Sequence, residues 1–144
     1  MDALALIAIG FVGTVIWVIS PEAAAALYAA QRGWHPLVIG LLGATGQALA
    51  HLSLFYGGDQ LRRRWGWFDR KCERARARHG PLLQKGLVVL GCASGLFGVP
   101  PSSVTAALAP GLGLSGRRLL PLLYVTRIIR LTAVAALAAG VFRR

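Results

Sequence analysis

The sequence predicts an all-α integral membrane protein made of two inverted repeats. Each repeat is a re-entrant helical hairpin plus one transmembrane helix, and a basic amphipathic cytoplasmic helix joins the two. Three observations carry this expectation. Residues 3–19, 33–58 and 86–116 hold no charged side chain, in a chain of 144 residues that is 56% apolar. Nine of the sixteen basic residues sit in one block between Asp59 and Lys85, opposed only by Asp59, Asp69 and Glu73. The same order of parts occurs twice: apolar arm, proline break, short alanine-rich arm, glycine, long apolar helix.

At about 1.5 Å rise per residue, the second and third uncharged stretches are long enough to cross a hydrocarbon core of about 30 Å. The chain reads as a single membrane domain over 1–144, with repeat one at 3–57, a connector at 58–85 and repeat two at 86–142. The net charge of +11 does not point to nucleic acid. A nucleic-acid reader sets its basic face beside a folded soluble module. One basic block between two apolar stretches is the positive-inside pattern, which puts residues 59–85 in the cytoplasm, where they also suit anionic lipid head groups. The acidic start Met1-Asp2 argues against a cleaved signal peptide.

Residues 3–19 read as an apolar helix, interrupted by Ser20-Pro21-Glu22. Pro21 has no amide hydrogen and biases Ser20 away from helix. Glu22 suits the exposed amides of a new helix start, over 22–31 and ending near Gly33. Neither arm is comfortable as a lone span, and a hairpin that enters and leaves on one side explains both. Residues 34–57 form the first crossing, with Gly40, Gly43 and Gly46 giving one smooth face for close helix approach. Residues 59–79 form an amphipathic helix with Leu61, Trp65 and Phe68 at helical spacing. It lies along the membrane surface or covers the protein's own cytoplasmic face. Residues 82–98 are apolar again, Pro100-Pro101-Ser102-Ser103 breaks the run, and 102–109 return as a short helix stopped by Pro110-Gly111. Residues 116–142 form the last crossing.

An offset of 80 places Pro21 on Pro101, Gly33 on Gly113 and the helix 34–57 on 114–137, with Gln47 on Arg127. Two copies that each cross once must be inverted, an arrangement that recurs in transporters with sites near the midplane. If the hairpins instead span fully, there are four crossings and both termini lie inside rather than outside.

Arg127 and Arg130 are the sharpest functional signal, because a guanidinium at membrane depth costs at least about 2.5–3.5 kcal/mol. At i and i+3 they face similar directions, as a ligand site or as a structural ion pair. Glu22 stands at the first hairpin tip, to pair with an arginine, bind a proton, or merely start a helix. Gln47 and His51 share a face of the first crossing, suited to hydrogen-bond across helices or to a substrate, with the structural role preferred for His51. At the second tip Pro101, Ser102 and Ser103 offer open backbone and two hydroxyls to a polar head group, or form a simple turn. The three histidines lack metal-ligand spacing, Cys72 and Cys92 form no C-x-x-C pair, and no phosphate loop or hydrolase elbow occurs. Enzymatic chemistry, metals and cofactors are therefore not expected.

The run SGLFGVPPSSVTAALAPGLGLSGRRLLPLLYVTRIIRL resembles the second half of DedA-type proteins, the SNARE-associated or VTT-domain family, and most of all its YqaA-like branch. The tip Gly98-Val99-Pro100-Pro101 resembles the branch's Gly-x-Pro-Pro, and Arg127 and Arg130 its Gly-Arg-x-x-Arg-Phe. Ser20-Pro21-Glu22 resembles the first-half Pro-Ser-Glu tip with two residues exchanged. Thr126 and Leu131 depart from the arginine motif, Pro110-Gly111 stands for Ala-Gly, and Gln47 lies near where many relatives carry an acid. The resemblance implies facing re-entrant hairpins in a bacterial inner membrane and movement of lipids or lipid-linked phosphates such as undecaprenyl phosphate between leaflets. Anionic membrane lipids are then the expected partners, with proton coupling and a homo-oligomer as open alternatives. A non-transporting subunit that scaffolds a partner is the competing expectation, and a small-cation exporter is disfavoured by the arginines.

Overall fold

Proline and glycine punctuate the helices of the computed structural model, which describes residues 2–16 and 20–142, without the side chains of Leu83 and Phe142. Helix α1 is Asp2–Val15 and α2 is Pro21–Arg32. Pro21 takes the first helical position, where its missing N–H costs nothing, and Ser20 caps the helix by accepting from the Ala23 amide at 3.2 Å. Gly33 closes α2 in the left-handed conformation, φ 64°, which only glycine adopts without penalty. Helix α3 is Pro36–Arg64, α4 is Gly66–Lys85 and α5 is Leu87–Cys92, continued by a π-helical turn at Ala93–Phe97. Helices α6, Ser102–Leu108, and α7, Gly116–Phe142, complete the chain. No strand occurs among the described residues.

Among the described residues, two helices are long and apolar enough to cross a membrane, Pro36–Arg64 and Gly116–Val141. A third span follows if the bent pair Gly66–Leu82 and Leu87–Phe97 is one crossing. Within the most apolar stretches of those two helices only 44% and 28% of residues are buried inside the protein. Apolar helices so exposed need a non-aqueous surround, and the chain is a membrane protein by this measure.

Three boundaries differ from expectation. The first crossing does not stop at residue 57: α3 runs to Arg64, held by Asp59 with Arg62 and Arg63 at i+3 and i+4 spacing. The connector helix accordingly starts at Gly66 rather than 59. The first arm, expected over 3–19, ends at Val15, and residues 17–19 lie outside the described residues.

The chain divides into two units, Met1–Ala50 with Tyr124–Arg144, and His51–Leu123. In the first, α1 and α2 double back: Asp2, at the start of α1, pairs with Arg32, at the end of α2, at 3.3 Å. Their core is Leu6, Ala25 and Ala29 with Ile39 and Ala44 of α3 and Leu131 and Ala135 of α7. Glycines permit the contact. A Cβ on Gly46 would strike the Ile7 carbonyl of α1, and one on Gly40 the Thr132 side chain of α7. Here α3 and α7 run antiparallel, Gly40 lying by Thr132 and Thr45 hydrogen-bonding Tyr124 at 3.3 Å. In the second unit, Leu87, Ala106, Ala109, Leu114, Leu119 and Leu123 form the core. Gly58 lies against the Ala107 backbone, and Gly91 against Leu122.

Candidate anion-binding site

Arg127 and Arg130 lie at the middle of α7. Eleven residues (116–126) precede Arg127 and twelve (131–142) follow Arg130, so each helix end is roughly 16–18 Å away along the axis. One turn of spacing turns both side chains toward α2, and its first-turn carboxylate meets them. Glu22 Oε1 lies 2.9 Å from a terminal nitrogen of Arg130 and 3.5 Å from one of Arg127. Ser20 Oγ donates to the other carboxylate oxygen, Oε2, at 3.2 Å. The proline break thus fixes three things together: where α2 starts, which residue caps it, and where the carboxylate points.

Arg127 is 8% exposed as a residue, and the side chains of Glu22 and Arg130 are about a quarter exposed. This unit contains only two acids in its sequence, Asp2 and Glu22, and Asp2 is engaged by Arg32. Two guanidiniums therefore share one carboxylate, and the cluster keeps one formal positive charge. Sites of that kind suit a second anion. Guanidinium planes offer phosphate two parallel N–H donors, and charge-assisted bonds of this type are the strong ones.

The remaining expected residues fall as follows. Gln47 is on α3 in the same unit, 2% exposed, and its Oε1 is buried with no hydrogen-bond partner among the described residues. Pro101, Ser102 and Ser103 belong to the second unit. Pro101 is exposed just before α6, Ser103 is half-buried, and Ser102 is buried. Ser102 Oγ lies 3.1 Å from His51 Nε2 on α3. The structure brings together Glu22, Arg127 and Arg130, and separately Ser102 with His51. Sequence reasoning places His51 beside Gln47 on one face of the first crossing and does not foresee the bond to Ser102. It also misses a buried hydroxyl pair, Ser94 with Thr105 at 3.3 Å, the latter donating to the Pro101 carbonyl at 3.1 Å. The Thr105 bond has a local signal, since a threonine four residues after Pro101 can bond its carbonyl. Ser94 has none. No group of three or more metal-ligating side chains occurs among the described residues.

Compared with models of protein families, with curated proteins and with solved structures, the chain matches none.

Proposed function

We propose that this chain moves a lipid-linked phosphate, of the undecaprenyl phosphate kind, between the leaflets of a bacterial inner membrane. The observation that carries the reading is the Glu22–Arg127–Arg130 cluster, two cations to one anion at the middle of an apolar helix. An arginine pair at that depth is costly, and a carboxylate alone would neutralise only half of it. An arriving phosphate takes the guanidiniums from Glu22.

The architecture we propose with it is a pair of inverted repeats with re-entrant hairpins, as the resemblance to DedA-type proteins implies. Two features support it. The first hairpin returns to its own start through Asp2 and Arg32, while its tip residue Glu22 bonds the mid-length of α7. Each tip also bonds the long helix of the other repeat, Glu22 to Arg130 and Ser102 to His51. With residues 59–85 cytoplasmic, both termini then lie outside. Tags at both ends detected only after permeabilisation would overturn the hairpins in favour of four spans.

Ligand-dependent stabilisation tests the site. A short-chain prenyl phosphate at 100 times its Kd should raise the stability of the purified protein by about 2.7 kcal/mol. The corresponding prenyl alcohol should not, and Arg127→Ala/Arg130→Ala should abolish the effect. Equal stabilisation by phosphate and alcohol would end the phosphate reading.

A further inference from the structure

Helix α4 is joined to apolar helices at both ends by single residues, Trp65 after α3 and Gly86 before α5. It turns by 106° into the α5 arm. One face packs on its own unit. Cys72 is buried, and a Cβ on Gly111 would touch its sulfur. Arg76 lies against Gly113, and Gln84 Nε2 donates to the Gly113 carbonyl at 3.1 Å. The other face is exposed: Trp67, Arg70, Lys71, Arg74 and Arg78.

The charge on that face is not internally compensated. Asp59 is taken by Arg62 and Arg63, and Asp69 by Arg62 at 2.6 Å. Two of the three acids of the block are thus consumed at the α3–α4 junction. The other seven cations of residues 59–85 enter none of the ion pairs among the described residues, and only Glu73 remains as an acid. Set among these cations are indoles exposed to solvent, Trp65 and Trp67, each 59% accessible. Lys71 Nζ sits 4.1 Å from the centre of the Trp67 ring. Exposed indole beside ammonium and guanidinium matches the boundary between acyl chains and head groups, where tryptophan is enriched and basic side chains meet lipid phosphate. Attachment within one residue to α3 and α5 fixes the helix at that level.

We infer that α4 is an interfacial helix whose outer face docks on the anionic head groups of the leaflet it borders. The inference rests on the chain's membrane character and is independent of the transport proposed above. Charge complementarity selects the occupant: a lipid surface supplies anions next to the apolar layer that the indoles require, which a polynucleotide does not.

The test uses the full chain in lipid nanodiscs, with Trp17, Trp34 and Trp65 replaced by Phe so that Trp67 alone reports. Bromine is placed on the acyl chains of either the anionic or the zwitterionic lipid, at equal mole fraction. Trp67 should be quenched several-fold more by the brominated anionic lipid. Arg70→Gln/Lys71→Gln/Arg74→Gln/Arg78→Gln should remove the preference, and so should 1 M salt, which shortens the screening length to about 3 Å. Arg127→Ala/Arg130→Ala should leave it intact, which separates this surface from the buried site. Equal quenching by both lipids, no quenching by either, or a preference that survives the fourfold substitution would overturn the inference. So would displacement of the anionic lipid from Trp67 by duplex DNA at physiological salt.

Discussion

Glu22→Gln is the most informative single change. It keeps the shape of the side chain and removes only the charge that two guanidiniums share. At 2.9 and 3.5 Å, and with an effective dielectric of about 20, the two attractions are on the order of 6 and 5 kcal/mol before desolvation is counted. Desolvation of three groups that are roughly three-quarters or more buried cancels much of this. The comparable measured quantity is the removal of one partner from a buried pair, about 3–5 kcal/mol. The mere loss of a carboxylate from a helix first turn is worth about 0.3–1 kcal/mol. The two accounts of Glu22 therefore differ several-fold. Denaturant unfolding in detergent micelles, followed by helical circular dichroism, should give a loss near 3 kcal/mol or more, about 10 °C in Tm for a chain of this size. Arg130→Ala should cost less in the Glu22→Gln background than in the parent chain, with a coupling of at least about 1.5 kcal/mol. A loss below about 1 kcal/mol with no coupling would mean that Glu22 only starts a helix, and the site as described would fall.

Other outcomes follow from the packing. Gly46→Ala drives a methyl into the Ile7 backbone and Gly40→Ala one into the Thr132 side chain, and each should cost about 1–3 kcal/mol, whereas Gly57→Ala meets nothing within 4 Å and should gain up to about 1 kcal/mol; equal thermal shifts would refute the close approach. Gln47→Leu removes a buried oxygen that has no partner among the described residues and should stabilise the chain by about 1–3 kcal/mol. If Gln47 contacts the lipid in transit, transport falls in the same variant. Burial, opposed by Arg62 and reinforced by Asp69, pushes the Cys72 thiol above its ordinary pKa, so its thiolate fraction at neutral pH is reduced. In a Cys92→Ser background, maleimide labelling at neutral pH should therefore be slower than that of a free thiol and accelerate only as the pH is raised; labelling at the free-thiol rate would show that Cys72 is exposed.

What is legible in the sequence is what local rules control. The absence of charge marks the core of α3, and Pro21, Gly33 and Pro101 sit at or beside helix ends where their backbone preferences require. The arginine pair is visible because two cations in an apolar helix are expensive. The end of α3 is misplaced when charge is taken as a stop, because Asp59, Arg62 and Arg63 are spaced to continue a helix. The pairing of the polar groups is legible only in part: Glu22 at a hairpin tip is expected to pair with an arginine, and it does, whereas the bond between His51 and Ser102 is not foreseen. Glu22 and Arg130 are 108 positions apart, and His51 and Ser102 are 51 apart. No periodicity links such residues; only the packed glycine faces of α3 bring them within reach.

The central claim is that a lipid phosphate crosses the bilayer through the Glu22–Arg127–Arg130 cluster. It is tested most directly by leaflet exchange of a labelled prenyl phosphate in vesicles containing the purified protein. With the parent chain, an impermeant phosphatase added outside should consume nearly all of the label, because the inner pool is delivered outward. With Arg127→Ala/Arg130→Ala inserted at the same density, the inner half of the label should stay protected. Protection of the inner half in the parent vesicles, or full consumption with the double variant, would contradict the claim.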